Sequence, residues 1–208
     1  MPLDDLPQPI KDEIFRFVNN QEYEPAPNTY SLTDLLYCLR RSYFKKMNPK
    51  PIASLKQAFN LYRGQIFDNL WTKLFKRNQV RCTHRLRSVP ITISGKYDFL
   101  DEHGILTDLK MPRTLFYVGD QPSEEYAKQI RFYAFCNALD KAQILYIDGG
   151  DCKKILVEVG DCTELLKEIE EKATLLYWAI QRGKPPQQKG PEWLCNECQY
   201  QNECTNEE

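Results

Sequence analysis

No stretch of this 208-residue chain approaches the ~20 consecutive apolar residues that a membrane-spanning helix needs. The opening segment MPLDDLPQPIKDE also lacks the apolar core of a secretory signal. A soluble, cytoplasmic chain with no membrane association is therefore expected. No internal repeat is visible, so a repeat architecture is not indicated. Net charge is nearly absent at -1, which by itself says nothing about a polyanionic partner. Histidine is limited to His84 and His103. His103 falls in a polar turn and reads as solvated. His84 alternates with apolar strand residues and reads as a satisfied core group rather than a ligand.

Cysteine, by contrast, is plentiful. Eight cysteines without an export signal argue for thiols or metal ligands over a disulfide framework. The length suits one sizeable domain, or one domain with an appended module. Charge is unevenly placed: between Arg40 and Arg87 stand thirteen Lys or Arg residues and one acid, Asp68. That block carries +12 against -13 for the remainder, an electrostatic footprint for a polyanion. Tyr43, Phe44, Phe59, Tyr62, Phe67, Trp71 and Phe75 are interleaved with it. Their helical spacing favours core positions, although basic and aromatic residues together also make single-strand stacking platforms.

Periodicity predicts a short helix over Pro9 to Asn20, then a Pro- and Glu-rich loop to about Tyr30. Ser31 or Thr33 can cap a four-turn helix, LTDLLYCLRRSYFKK, and a long amphipathic helix is predicted from about Ala53 to Arg77. The pattern then switches to period two. One strand is expected through Val80, Cys82, His84 and Leu86. Two more, Ile91 to Leu100 and Ile105 to Met111, flank a turn at Asp101, Glu102, His103 and Gly104. A helix from Gln121 to Leu139, strands at Ala142 to Ile147 and Lys153 to Val159, and a charged helix from Asp161 or Thr163 to about Gln181 follow. The tail from Gly183 is polar and Pro-rich and ends in EWLCNECQYQNEC. An α/β fold with a mixed sheet flanked by helices is the expected result. The natural divisions are an N-terminal helix and loop (1–30), a main domain (31–182) containing the basic segment 40–87, and a Cys-rich module (183–208).

The hairpin concentrates the chemistry. Asp98 lies on its first strand and Asp108 on its second, and Lys110 shares a face with Asp108 because side chains alternate along a strand. Two carboxylates and an ammonium on one sheet face suit a divalent-metal hydrolase, the carboxylates holding a hard cation and the lysine serving a water or developing charge. As isolated residues they could equally form an exposed ion pair worth ~0–1 kcal/mol. Gln129 and Tyr133, four apart, share one face of the following helix. Asp68, alone in the basic block, is either a further carboxylate of this site or a counter-ion to Arg63 or Lys73. Gly64, one turn earlier, is expected to let its helix approach a neighbour closely. Cys195, Cys198 and Cys204 form C-x-x-C-x5-C, and a fourth thiolate would complete a zinc site or an iron–sulfur cluster. Spacing does not choose the metal. Cys38, Cys82, Cys136, Cys152 and Cys162 are the candidates, with Cys82 and Cys136 on apolar faces and Cys38 free to staple the tail to the N-terminal region.

Gly95-x-x-Asp98, Asp108-Leu109-Lys110, Gln129-x-x-x-Tyr133 and one early cysteine with three late ones together resemble the CRISPR-associated RecB-like exonucleases. These are the fourth of the numbered Cas families, within the PD-(D/E)XK nuclease superfamily. The resemblance runs from about Ser31 to Cys204. It implies a restriction-endonuclease-like core and a Mg²⁺- or Mn²⁺-dependent DNase acting on single-stranded DNA, working beside the CRISPR integrase proteins in spacer acquisition. It also implies an iron–sulfur cluster on Cys38, Cys195, Cys198 and Cys204, commonly four-iron, with a two-iron form compatible. Divalent metal would be held by Asp68, Asp98, Asp108 and the Leu109 carbonyl, and Lys110, Gln129 and Tyr133 would complete the catalytic set. The sequence departs from the family twice: Asp68 stands where histidine is usual in Gly-x-x-x-His, and Asp108 where glutamate is often found. Two rivals are a helicase-associated nuclease of the AddB type and a non-catalytic, cluster-bearing DNA-binding subunit of an integration complex.

Overall fold

The computed structural model describes residues 3–20, 28–187, 190–196 and 198–206. The Pro- and Glu-rich loop falls largely on 21–27, outside the described residues. Among the described residues, six strands form one mixed sheet: β1 (Thr29–Ser31), β2 (Asn78–Arg85), β3 (Thr92–Leu100), β4 (Leu106–Lys110), β5 (Lys141–Ile147) and β6 (Cys152–Glu158). β3 is the hub. One of its edges is covered by antiparallel β2, from Arg85 opposite Thr92 to Asn78 opposite Phe99. Its other edge is shared: β1 runs parallel to Thr92, Ile93 and Ser94, while β4 pairs only through Phe99–Thr107 and Leu100–Leu106. β5 continues parallel to β4, and β6 closes the sheet antiparallel to β5.

The β3–β4 connection is the expected turn. Asp101 accepts from the His103 and Ile105 amides at 2.9 Å each, an Asx-type closure. Gly104 takes φ +74°, a conformation that costs an L side chain strain. The next facing pair beyond Phe99 and Thr107 would be Asp98 and Asp108, and there the ladder stops. The splay that admits β1 thus falls at the two carboxylates.

The helices are α1 (Gln8–Asn19), α2 (Leu32–Leu36), α3 (Leu39–Met47), α4 (Leu55–Trp71), α5 (Glu124–Cys136), α6 (Thr163–Arg182), α7 (Glu192–Cys195) and α8 (Gln201–Asn206). α5 lies across the sheet, burying Ile130, Phe132 and Ala134. Leu165, Ile169, Ala173 and Leu176 form the buried stripe of α6 at helical spacing, against α2 and α3. Gly183, at φ +63°, ends α6.

Four expectations change. The predicted helix through Cys38 breaks into α2 and α3, because Tyr37 and Cys38 leave helical geometry and Cys38 becomes the N-cap of α3. The helix predicted to Arg77 ends at Trp71, followed by a 3-10 turn over Thr72–Leu74. Its apolar stripe is not core: Ala58 is its one fully buried residue, and Leu61, Leu70 and Leu74 face solvent. Its partner is α1, where Phe17 meets Tyr62 edge-on at 5.0 Å. Gly64 makes no close approach, since a Cβ there would meet nothing within 4 Å. β1, a three-residue strand, carries too short a pattern to predict.

Candidate active site

The splay between β3 and β4 brings Asp98, Asp108 and Lys110 together, and all three are largely buried. Asp98 bridges the strands where backbone pairing has ended: its Oδ2 accepts from the Leu109 amide at 2.6 Å. Its Oδ1 accepts from Gln79 Nε2 at 3.3 Å. Gln79 lies on β2 between the paired residues Asn78 and Val80, with φ +49°, a left-handed geometry in mid-strand. Strained backbone of this kind gathers at functional sites, and here it aims an amide at a buried carboxylate.

Lys110 Nζ meets Asp108 Oδ2 at 2.6 Å and reaches Gln129 Oε1 at 3.4 Å. Gln129 Nε2 in turn donates to the Tyr133 hydroxyl at 2.9 Å, so α5 supplies the i, i+4 pair expected of it. Gly95 makes that packing possible. A Cβ at this position would overlap the Tyr133 ring, sitting 3.0 Å from Cζ. The Tyr126 ring lies 4.7 Å from Lys110 Nζ, a cation–π contact with no signal in the sequence beyond its place one turn before Gln129. Tyr37 and Gln79 are likewise site neighbours that sequence patterning does not reveal. The Tyr37 phenol is pushed up to about 12 by burial, then by Tyr126, against the pull of Lys110.

Electrostatically the site is rich in carboxylate. Burial, then the neighbouring Asp108 and Asp68 charges, raise Asp98 to about 8, against the Leu109 amide and Lys110. Asp68, half-buried on α4, is raised to about 6 by burial, with Lys110 and Lys96 opposing and Asp108 assisting. Its electrostatic neighbours thus include Lys110 and Asp108 of the site, the first of the two alternatives the sequence leaves open, and not Arg63 or Lys73. Arg63 donates instead to the Met111 carbonyl at 2.8 Å, tying α4 to the end of β4. Burial would lower the Lys110 ammonium, but Asp108 outweighs it and holds the proton well above the ordinary lysine range. Lys110 is therefore placed as a charge and hydrogen-bond donor toward Asp108 and Gln129.

The raised Asp98 value has a stability consequence. The unfolded chain ionises Asp98 near pH ~3.9, whereas the folded chain does so at about 8. The group therefore favours the fold below the unfolded value, and that contribution is lost as pH rises through 4 to 8. Asp98→Asn removes the ionisation. In EDTA at pH 8 the variant is expected to exceed wild type by about 2 kcal/mol in urea unfolding, with the gap closing near pH 4. A variant no more stable at pH 8 would show that the carboxylate carries no such penalty.

The cysteines form a second centre. Cys38, Cys195, Cys198 and Cys204 line one cavity of about 140 Å³, with Phe44, Gly190 and Tyr200. All are free thiols. Cys38 Sγ accepts from the Arg41 amide at 3.4 Å, and a Cβ on Gly190 would come within 2.7 Å of Cys38 Cβ. Arg40, nearly buried, donates Nε to Cys204 Sγ at 3.1 Å and its other nitrogens to the Cys204 and Pro186 carbonyls. The other thiols are placed elsewhere: Cys82 and Cys136 are free thiols beside each other, Cys162 faces the Val159 and Gly160 carbonyls, and Cys152 is exposed. His84, half-buried, is satisfied: its Nε2 pairs with Glu170 at 2.6 Å. Among the described residues, no three carboxylate, thiol or imidazole groups stand close enough to enclose a metal ion as the side chains lie. The donor chemistry nonetheless fits two kinds of metal. Hard carboxylate oxygens gathered in a buried site suit a divalent cation, and four thiols on one cavity suit a thiophilic centre.

The model of the PD-(D/E)XK nuclease superfamily matches residues 13–205. The structure of SSO0001 is similar over 96% of this chain and 97% of its own, with a TM-score of 0.71 and 16% identity. That of a phage-related exonuclease from Haemophilus somnus 129PT is similar over 69% of this chain and 79% of its own, with a TM-score of 0.50 and 14% identity. At such identities these likenesses bear on the fold alone. No curated protein matches the sequence. The family match spans nearly all of the chain, which belongs to the PD-(D/E)XK nuclease superfamily.

Proposed function

We propose that this chain is a Mg²⁺- or Mn²⁺-dependent DNase that hydrolyses phosphodiester bonds in single-stranded DNA, as an exonuclease. The observation that carries this reading is the buried Asp98–Asp108–Lys110 group at the strand splay, with too little positive charge for its carboxylates. Asp68, Asp98, Asp108 and the Leu109 carbonyl would hold the divalent metal, which when bound polarises the phosphate and acidifies a water. Lys110, kept protonated by Asp108, donates to the attacking water or to the phosphoryl oxygens as negative charge develops. Gln129 fixes the Lys110 ammonium and is itself fixed by Tyr133. Tyr126 covers the ammonium with its ring and limits the water around it.

The basic block contributes less than its formal +12. Arg40, Lys45, Lys46, Lys50 and Arg63 are engaged within the protein. Lys73, Lys76, Arg77, Arg85 and Arg87 face solvent along the 3-10 turn and the edge strand β2, where a DNA backbone would be guided. The resemblance implies an iron–sulfur cluster on Cys38, Cys195, Cys198 and Cys204, four-iron in preference to two-iron, and the cavity these four residues share is in keeping with it. The whole motif set supports a role in CRISPR prespacer processing with the integrase proteins. Anaerobically purified protein is expected to degrade single-stranded DNA with Mg²⁺ or Mn²⁺ and not with EDTA, more weakly as salt rises. Binding without cleavage under every metal would overturn the catalytic reading in favour of a DNA-binding subunit.

A further inference from the structure

Six of the seven aromatic residues interleaved with the basic block have ring partners within the chain. Tyr43 and Phe44 are buried, Phe67 lies against Trp71 at 5.8 Å, and Phe75 stacks on Phe99 at 3.8 Å. The exposed aromatic pair lies elsewhere. Phe116 and Tyr117, in a 3-10 turn over Leu115–Tyr117, are 84% and 83% exposed, their rings edge-to-face at 5.1 Å. Two large rings standing in water contribute almost nothing to folding.

They are nevertheless held firmly. Thr114 Oγ1 accepts from the Phe116 amide at 3.2 Å, and the Leu115 amide donates to Asp148 Oδ2 at 2.8 Å. Leu115 itself packs on the core. Val118 closes the turn onto the Leu115 carbonyl at 2.9 Å, and its own carbonyl accepts from Lys153 Nζ at 3.1 Å. The backbone of the turn is therefore pinned to β6 and to the β5–β6 connection, while its two rings point outward. The turn also joins the two halves of the candidate site. It follows Lys110 by five residues and precedes the helix of Gln129 and Tyr133, and Met111 between them receives Arg63 from α4.

We propose that Phe116 and Tyr117 form a base-stacking subsite, which holds an unpaired nucleobase of the strand whose phosphate is presented at Asp108 and Lys110. This inference rests on the nuclease reading. Rings on a pre-ordered turn offer a π-face at little entropic cost, and stacking tolerates any base. Two rings flanked by the exposed Arg113, Gly119 and Asp120 suit a single base better than the broad apolar field of a protein interface.

The test is equilibrium binding of the full chain, in EDTA, to a short fluorescent single strand and to the same strand carrying one abasic site at each position in turn. Phe116→Ala and Tyr117→Ala are expected to weaken binding of the intact strand by about tenfold, while Phe116→Trp retains it. One abasic position should weaken wild-type binding and make wild type and alanine variants alike. A flat abasic scan, or an equal alanine loss on every strand, would overturn the subsite even if wild type cleaves DNA. Wild type that shows the positional signature but never cleaves with Mg²⁺ or Mn²⁺ would support the subsite and overturn the nuclease. Failure to bind any strand would overturn both. Because the rings are exposed, unchanged melting temperatures are expected for all three variants.

Discussion

Lys110→Ala is expected to lower single-strand cleavage by about 10³-fold while leaving strand affinity nearly unchanged. The reason lies in what the ammonium touches. It contacts Asp108, Gln129 and Tyr126, all inside the site and none on the basic edge strand that would bear the DNA backbone. Removing it also strands the Asp108 carboxylate, nearly buried, without its cation, which costs about 3 kcal/mol in comparable buried pairs. The loss of activity must therefore be separated from loss of fold. Lys110→Met with Asp108→Asn removes both charges, and is expected to recover the stability lost by Lys110→Ala but none of the cleavage. Cleavage by the single variant within tenfold of wild type would reject the role given to Lys110.

Much of this site is legible in the sequence because it is built from local patterns. Asp108 and Lys110 share a face through strand alternation, Gln129 and Tyr133 through the helical turn, and the Asp101–Gly104 turn announces the hairpin. The splay is not legible. That β4 leaves β3 after one short stretch of pairing, so that β1 can occupy the same edge, depends on a strand of three residues far away in the chain. Nothing in the local pattern marks Gln79, whose backbone is left-handed, or Tyr126, whose ring meets Lys110. The amphipathic reading of α4 failed for a related reason. Helical spacing identifies an apolar face without saying that the core lies beside it, and α4 meets α1 while leaving Leu61 and Leu70 to solvent. Cys38 is the converse case. As a residue it is one of several free thiols, and only the break between α2 and α3 turns it toward the late cysteines.

Loss of the proposed cluster is expected to lower the melting temperature by about 10 °C, roughly 3–5 kcal/mol for a chain of this length. A structural metal site contributes ~10 kcal/mol or more when nothing else orders its ligands. Here the tail has other anchors, which is why the expected loss is smaller. Tyr200 is buried and stacks on Phe44 at 6.1 Å, and its hydroxyl accepts from the Lys50 amide at 3.1 Å. Lys50 also pairs with Glu203, and Gln199 donates to the Lys50 carbonyl at 3.1 Å. Arg40 grips the Cys204 and Pro186 carbonyls whether or not Cys204 is ligated. Cys204→Ser should therefore discard iron, sulfide and visible absorbance while the tail stays docked at moderate temperature and melts early. Adding Tyr200→Ala should release it altogether, read as rapid proteolysis after residue 183. Brown wild type whose Cys204→Ser variant is colourless yet melts unchanged would show that the cluster does not hold the tail. Colourless wild type carrying one zinc would keep the clamp and replace its metal.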